Sequence, residues 1–244
     1  MNLLQSPETL AWLALLEQHH QLMPSSIQLE QCLQFYTLLE EANQRMNLTR
    51  ITGWHDFLYK QLWDAWLFSD AIAEGSHVVD VGSGGGVPLI PLAILRPDCT
   101  FMGVESVKKK ATFLTEVANT LALPVTLSTE RIETLGHVGS PYREAADVVT
   151  SRGVAVMPVL MEYCLPLVKV GGVALAMKGP KWVEELPAAT KALQYCGGEV
   201  ESVLEPPEGV EPLQYSFLVV VNKVAPTGKK YPREVGMPSK VPLR

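Results

Sequence analysis

The chain contains no C-x-x-C pair. Its four cysteines, Cys32, Cys99, Cys164 and Cys196, are scattered through 244 residues with no histidine at ligand spacing. That pattern argues against a zinc ribbon and a disulfide framework, and it predicts reduced thiols in a cytoplasmic protein without a bound metal. No apolar run approaches the roughly 20 residues that span a bilayer, so no membrane partner is expected. A basic leader is missing too. "MNLLQSPETLAWLALLEQHHQLMP" carries Glu8 and Glu17 among its leucines and reads as an amphipathic helix rather than a signal peptide. Internal repeats and low-complexity segments are absent. Positive charge is in deficit, with 20 Lys and Arg against 26 Asp and Glu, a net of −6 that argues against a general nucleic-acid coat protein. The deficit is uneven. From Lys223 to Arg244 six basic residues face Glu234 alone, a local +5 that leaves −11 on everything before it. Such asymmetry marks either a tail that meets an anion or a solvated tail that aids solubility.

What is present divides into a helical front (1–75), an alternating middle (76–222) and a basic tail (223–244). In "SSIQLEQCLQFYTLLEEANQRMN", Ile27, Leu29, Leu33, Tyr36 and Leu39 share a face, and Ser25 or Ser26 offers an N-cap. "WHDFLYKQLWDAWLFSDAIAEG" predicts a second helix that stops at Gly75. From His77 onward, strand patterns ("HVVDVG", "TFMGVE", "PVTLS", "ADVVTS", "GVALAMKG") alternate with helical ones, including Val107 to Leu121 and Trp182 to Tyr195. Short continuous apolar strands between helices imply a parallel sheet covered on both faces. "EVESVL" and "YSFLVVVNKV" are joined by the proline-rich "EPPEGVEP", too short for a crossover helix, and should pair antiparallel at the end of the sheet. The expected fold is α/β, doubly wound, with a helical N-terminal cap.

The first strand runs into "VVDVGSGGGVPLIPLAI", where Gly82, Gly84 and Gly86 form G-x-G-x-G and Pro88 opens a helix. Glycine there allows positive φ and removes a Cβ that would meet a ligand in the crevice at the strand's carboxyl end. The dinucleotide fingerprint needs glycine where Val87 stands, and Asp80 in the strand would repel a diphosphate. A cationic, phosphate-free ligand suits it better: S-adenosylmethionine, whose ribose hydroxyls Glu105 at the end of the second strand would accept. Taken alone, Glu105 also reads as an ordinary acid at a helix N-terminus. An NAD-dependent oxidoreductase stays open.

For the methyl acceptor, the fourth strand ends "VVTSRGVA", with neither the cysteine of ring-carbon chemistry nor an N/D-P-P-Y/F turn. Arg152 stands there, able to clamp an anion or steer a purine edge, or equally to form a surface ion pair. A ring nitrogen such as guanine N7 has a free lone pair and needs alignment rather than a general base. Lys109 and Lys110 beside Lys108, and Lys178 and Lys181 around Gly179-Pro180, are candidate RNA contacts, as are Lys229, Lys230, Arg233 and Lys240 in the tail; solvated lysine is the plain alternative. Trp54, Trp63 and Trp66 are candidates for stacking a base, although their helical spacing favours the core.

The ordered set "MNLTRI", "DVGSGGGVPLIPLAI", "VESVKKKATFL", "ERIE", "TSRGVA", "MKGPK" and "YPREVGMPSKVPL" resembles the RsmG (GidB) family of bacterial 16S rRNA guanine-N7 methyltransferases, from about Asn47 to Leu243. The resemblance implies a Rossmann-like class I methyltransferase fold, S-adenosylmethionine as methyl donor, and 16S rRNA or the small ribosomal subunit as partner of a monomeric enzyme. It implies donor contacts at Gly82, Val87, Ile132, Glu133 and Arg152, with Ile132 and Glu133 flanking the adenine and Glu105 the ribose. The chain departs from the family's H-x-x-D-S, having Gln61, Asp64 and Ala65, which removes any imidazole role. Leu89 replaces a small glycine. A small-molecule methyltransferase and a non-catalytic donor-binding ribosome factor remain alternatives.

Overall fold

The computed structural model of the chain describes residues 3–20, 22–208, 210, 213 and 215–243. Its seven-stranded sheet contains β1 (His77–Val81), β2 (Thr100–Val104), β3 (Val125–Ser128), β4 (Ala146–Arg152), β5 (Val168–Lys178), β6 (Gly198–Leu204) and β7 (Phe217–Lys223), in the order β3-β2-β1-β4-β5-β7-β6. The first five are parallel, and β7 lies antiparallel between β5 and β6. The last two strands pair as expected. It is β7 that takes the inner place, because Leu218 to Val221 are buried on both faces, while Glu199 and Glu201 suit β6 to the edge. β1 sits between β2 and β4, so the loops after β1 and β4 part over the carboxyl edge and leave a crevice there.

In front of the sheet, α1 (Pro7–His19) is capped by Ser6, and α2 (Ser26–Met46) by Ser25 in a reciprocal box with Gln28. The next helix is continuous but irregular: α3 (Trp54–Phe57) passes through a π-helical turn at Leu58–Leu62 into α4 (Trp63–Asp70). These elements share one core with α5 (Leu89–Leu95) and α6 (Lys108–Thr120). Trp12, Phe35, Phe57, Trp63, Trp66 and Phe68 pack toward the sheet face bearing Val78, Phe101 and Val148. The N-terminal helices therefore form one side of the main core. Trp54, Trp63 and Trp66 are at most 8% exposed, and Trp66 meets Trp12 edge-on, so none of them can stack a base. On the other face α8 (Met157–Cys164) and α10 (Thr190–Cys196) cover Val79, Val149, Ala174 and Val219. The single helix expected from Trp182 to Tyr195 is divided into α9 (Trp182–Ala188) and α10, since Pro187 lacks the N–H that would continue the ladder. The short α7 (Ile132–Leu135) and α11 (Met237–Lys240) complete the helices used below. All four cysteines are buried and unpaired. No helix among the described residues is long and apolar enough to cross a membrane.

Leu89 is fully buried, and Gly103 on β2 makes the room for it: a Cβ at residue 103 would stand 2.6 Å from Leu89 Cδ2. The larger side chain at position 89 is thus met by a glycine across the interface.

The tail is docked rather than solvated. Arg233 forks onto Glu162 of α8, with Nε–Oε1 at 2.9 Å and Nη2–Oε2 at 2.6 Å, and the Glu162 carboxylate is fully buried. Lys223 is buried as well, donating to the carbonyls of Leu165 and Cys196 and pairing with Glu144. Two of the six positive charges counted in the tail are therefore held by carboxylates, and one of them, Lys223, is buried.

Candidate active site

Three adjoining cavities lie along the carboxyl edge of the sheet. The first, about 210 Å³, is lined by Val81, Gly82, Val104, Glu105, Ile132 and Tyr163, among others. The second, about 270 Å³, shares Gly82 and Glu105 with it and adds Thr49, Gln61, Gly84, Val87, Lys110 and Arg152. The third, about 790 Å³, shares Thr49, Arg152 and Gly153 with the second and opens between Arg50, Asp64, Lys181 and Tyr215. Together they form a path from the end of β2 past the glycine corner to the end of β5.

The corner takes its shape from hydrogen bonds that need glycine. The N–H groups of Gly82 and Ser83 both donate to Val104 O, and Gly82 and Gly84 have φ of +72° and +54°. A Cβ at Gly82 would lie 2.8 Å from Val154 Cγ2, which closes the space between the two cavities it borders. Glu105 is 7% exposed. Its Oε2 accepts from Gly84 N at 3.0 Å and its Oε1 from Val107 N at 2.7 Å, leaving each oxygen a second lone pair toward the cavities. Pro88 caps α5 without a backbone donor, as its position in the sequence suggested. A fixed carboxylate between two cavities, beside a cradle that a Cβ would fill, fits a nucleoside with free ribose hydroxyls.

Arg152 is the joint between the second and third cavities. Its Nε donates to Asp64 Oδ2 at 2.7 Å and its Nη2 to the Lys60 carbonyl at 2.6 Å. That carbonyl comes from the π-helical turn, a feature that recurs at functional sites. Burial pushes the Asp64 carboxyl up, and the Arg152 guanidinium opposes that shift. With two of its nitrogens held, the guanidinium keeps Nη1 for a ligand. Gln61, in place of the family histidine, is buried and donates to Thr49 Oγ1 at 3.4 Å. Asn43 holds "MNLTRI" over the site by accepting from Leu48 N and Thr49 N at 2.7 and 2.9 Å. Thr49 lines the second and third cavities and Arg50 the third, positions that the chemistry of their motif does not disclose.

Other expected residues lie elsewhere. Gly86 points away from the cavities: a Cβ there would strike Leu114 and Ile90 at 2.8 and 3.0 Å, so its part is packing against α6. The side chain of Glu133 is turned from the Ile132 cavity toward the tail, where Oε1 accepts from Gly236 N at 2.9 Å. Lys178 is paired with Glu185 at 2.6 Å and donates to Ala155 O, so it fixes the β5–α9 loop and leaves Lys181 as that loop's exposed cation. Arg233 is likewise engaged by Glu162. Lys229 and Lys230 follow Thr227 at the amino edge, where β6 begins, across the sheet from the crevice. Lys109 is exposed in the first turn of α6, Lys110 lines the second cavity, and Lys240 is exposed on α11.

Asp80 lies beneath the corner at 1% exposure, with Oδ1 accepting from Thr150 at 2.8 Å and Oδ2 without a partner. Burial pushes its carboxyl up from 3.8 to about 6. The unfolded chain ionises first as pH rises, so the folded state loses stability between the ordinary carboxylate range and about pH 6, then levels off. The expected loss from this group is about 3 kcal/mol at most. Denaturant unfolding of Asp80→Asn against the native chain from pH 4 to 8 checks it: the variant's advantage should grow up to about pH 6 and then stay constant.

A family model described as "GidB: rRNA small subunit methyltransferase G" matches residues 28–212. The chain is 42% identical over 226 residues to the ribosomal RNA small subunit methyltransferase G of Lactobacillus delbrueckii subsp. bulgaricus, covering 90% of this chain and 93% of that one. It is 40% identical over 240 residues to the protein of the same name from Staphylococcus aureus strain Newman, covering 96% and 98%. Among solved structures, a TehB-like SAM-dependent methyltransferase from Corynebacterium glutamicum superposes with TM-score 0.52 at 14% identity, covering 77% of this chain and 98% of that one. A SAM-dependent methyltransferase from Aquifex aeolicus gives 0.52 at 16%, covering 78% and 98%. At such identities the structures speak for the fold alone, a class I methyltransferase sheet. The sequence matches go further: the chain belongs to the GidB family, rRNA small subunit methyltransferase G, and is an enzyme whose cofactor is S-adenosylmethionine.

Proposed function

We propose that the enzyme methylates N7 of one guanine in 16S rRNA, with the methyl donor along the first two cavities and the guanine in the third. The observation that carries this reading is the position of Arg152, whose guanidinium borders the second and third cavities while anchored to Asp64 and the Lys60 carbonyl. When bound, S-adenosylmethionine supplies a methyl group on a sulfonium. Glu105 holds the ribose hydroxyls, Ile132 packs on the adenine, Gly82 and Gly84 let the backbone approach, and Lys110 faces the carboxylate end. Arg152 donates to guanine O6 and sets the N7 lone pair in line; no proton leaves N7, so positioning suffices. Arg50, Lys109, Lys181 and Lys240 are exposed cations suited to phosphates, consistent with action in the cytoplasm on the small subunit or its RNA. Mass spectrometry of 16S rRNA from a deletion strain and its complemented parent tests the reading. Loss of one N7-methylguanine on deletion is expected; an unchanged nucleoside profile overturns it.

Glu105→Ala is expected to weaken binding of S-adenosylhomocysteine by about 1.5–3 kcal/mol, roughly 10- to 150-fold, with Glu105→Gln between the two. Calorimetry showing native affinity in the alanine variant would remove the ribose role.

A further inference from the structure

The C-terminal segment reaches both walls of the cavity beyond Glu105. One wall is α7, which carries Ile132 and has four residues, too few for a helix to hold itself. The tail secures it at both ends. Gly236 N donates to Glu133 Oε1 at 2.9 Å, and Pro232 packs where a Cβ on Gly136 would stand 3.2 Å from its Cγ. Arg143 then joins Gly136 O at 2.5 Å to Tyr231 O at 2.8 Å. The opposite wall is Tyr163 of α8, whose hydroxyl shares a 2.7 Å hydrogen bond with Ser239 Oγ. The Arg233–Glu162 fork anchors the segment between these contacts, one residue along α8 from Tyr163.

We propose that residues 231–240 position the base of the methyl donor, with Gly236 and Ser239 acting as positioning residues through Glu133 and Tyr163. The inference rests on the donor lying in the cavity beyond Glu105. It assigns this part of a basic tail to the cofactor, through hydrogen bonds in which its lysines take no part. Tail and donor are then linked: whatever loosens the segment from α7 and Tyr163 lowers donor affinity, and donor binding must tighten the segment by the same factor.

Ser239→Ala is the mild test, since the side chain is exposed and one hydrogen bond is lost. The dissociation constant for S-adenosylhomocysteine and the KM for S-adenosylmethionine should rise about three- to tenfold, the worth of one hydrogen bond. KM for 30S subunits should stay unchanged, and Tyr163→Phe should match the effect. Ser239→Thr should restore the native values. In the native enzyme, S-adenosylhomocysteine should slow amide hydrogen exchange across residues 231–240. Unchanged donor KM in both variants, with no change in exchange, overturns the proposal, as does a rise confined to the KM for 30S subunits. Glu105→Ala run in parallel separates the two readings: if it weakens the donor while the tail variants do not, only this inference fails. If none of the three weakens the donor, the donor site itself is misplaced.

Discussion

Replacing Arg152 with alanine should lower kcat for rRNA methylation at least about 100-fold, the usual cost of a misplaced reacting pair. The same change should lower unfolding free energy by about 3–5 kcal/mol, because Asp64, whose side chain is 3% exposed, loses the cation that neutralises it. Burial already raises the Asp64 carboxyl against the pull of Arg152, so without the guanidinium it rises further, and the variant should recover stability as pH falls. The two effects can be separated. Asp64→Asn combined with Arg152→Ala removes both charges and should return most of the stability without returning activity, a coupling that denaturant titration of the four-membered cycle measures. Asp64→Asn alone leaves Arg152 tied only to the Lys60 carbonyl, so kcat should fall while donor affinity changes little. Equal losses of stability in the double variant and in Arg152→Ala would show that the pair is not the source of the cost.

The second large effect lies where the C-terminal segment docks on α8, one residue from Tyr163. Arg233→Ala leaves the Glu162 carboxylate at 0% exposure with only the backbone N–H of residue 233, 2.8 Å away, in place of three donors. Breaking such a pair costs about 3–5 kcal/mol. For a chain of this size that lowers Tm by roughly 10 °C. Scanning calorimetry checks the shift, and hydrogen exchange should show the tail opening at lower cost than the sheet. Glu162→Gln keeps the shape and one acceptor and should lose less. A Tm within a degree or two of native in Arg233→Ala would mean that the fork is compensated elsewhere.

Those two arginines show where sequence reasoning stops. The strands, the glycine corner and Glu105 were legible because each is specified locally: a short apolar run, a turn that demands positive φ, and an acid at the next strand's end. Ser25 as cap and Pro88 at the start of α5 were legible for the same reason. Arg233 and Lys178 were read as free cations because a charge in a sequence does not disclose its partner; Glu162 lies 71 residues from Arg233, and Glu185 answers Lys178 from the next helix. Gly86 was read with its neighbours as part of the ligand cradle, and only the three-dimensional contacts with Leu114 and Ile90 give it to the core. The family resemblance sets Glu133 with Ile132 beside the adenine; its side chain faces the tail, because successive residues on a helix face different ways. The π-helical turn that offers the Lys60 carbonyl to Arg152 has no sequence signature of its own. Thr49 and Arg50 were visible as a motif without visible chemistry, since their role exists only once Asn43 folds that loop over the crevice.

The central claim, that the corner after β1 and the carboxylate ending β2 hold the methyl donor, is tested most directly by a crystal structure of the enzyme with S-adenosylmethionine bound. The account expects both ribose hydroxyls on Glu105, the adenine against Ile132, and the sulfonium methyl facing the cavity that Arg152 shares with Tyr215. Density for the donor at any other place, or a donor at the corner that leaves Glu105 bonded only to Gly84 and Val107, would contradict it.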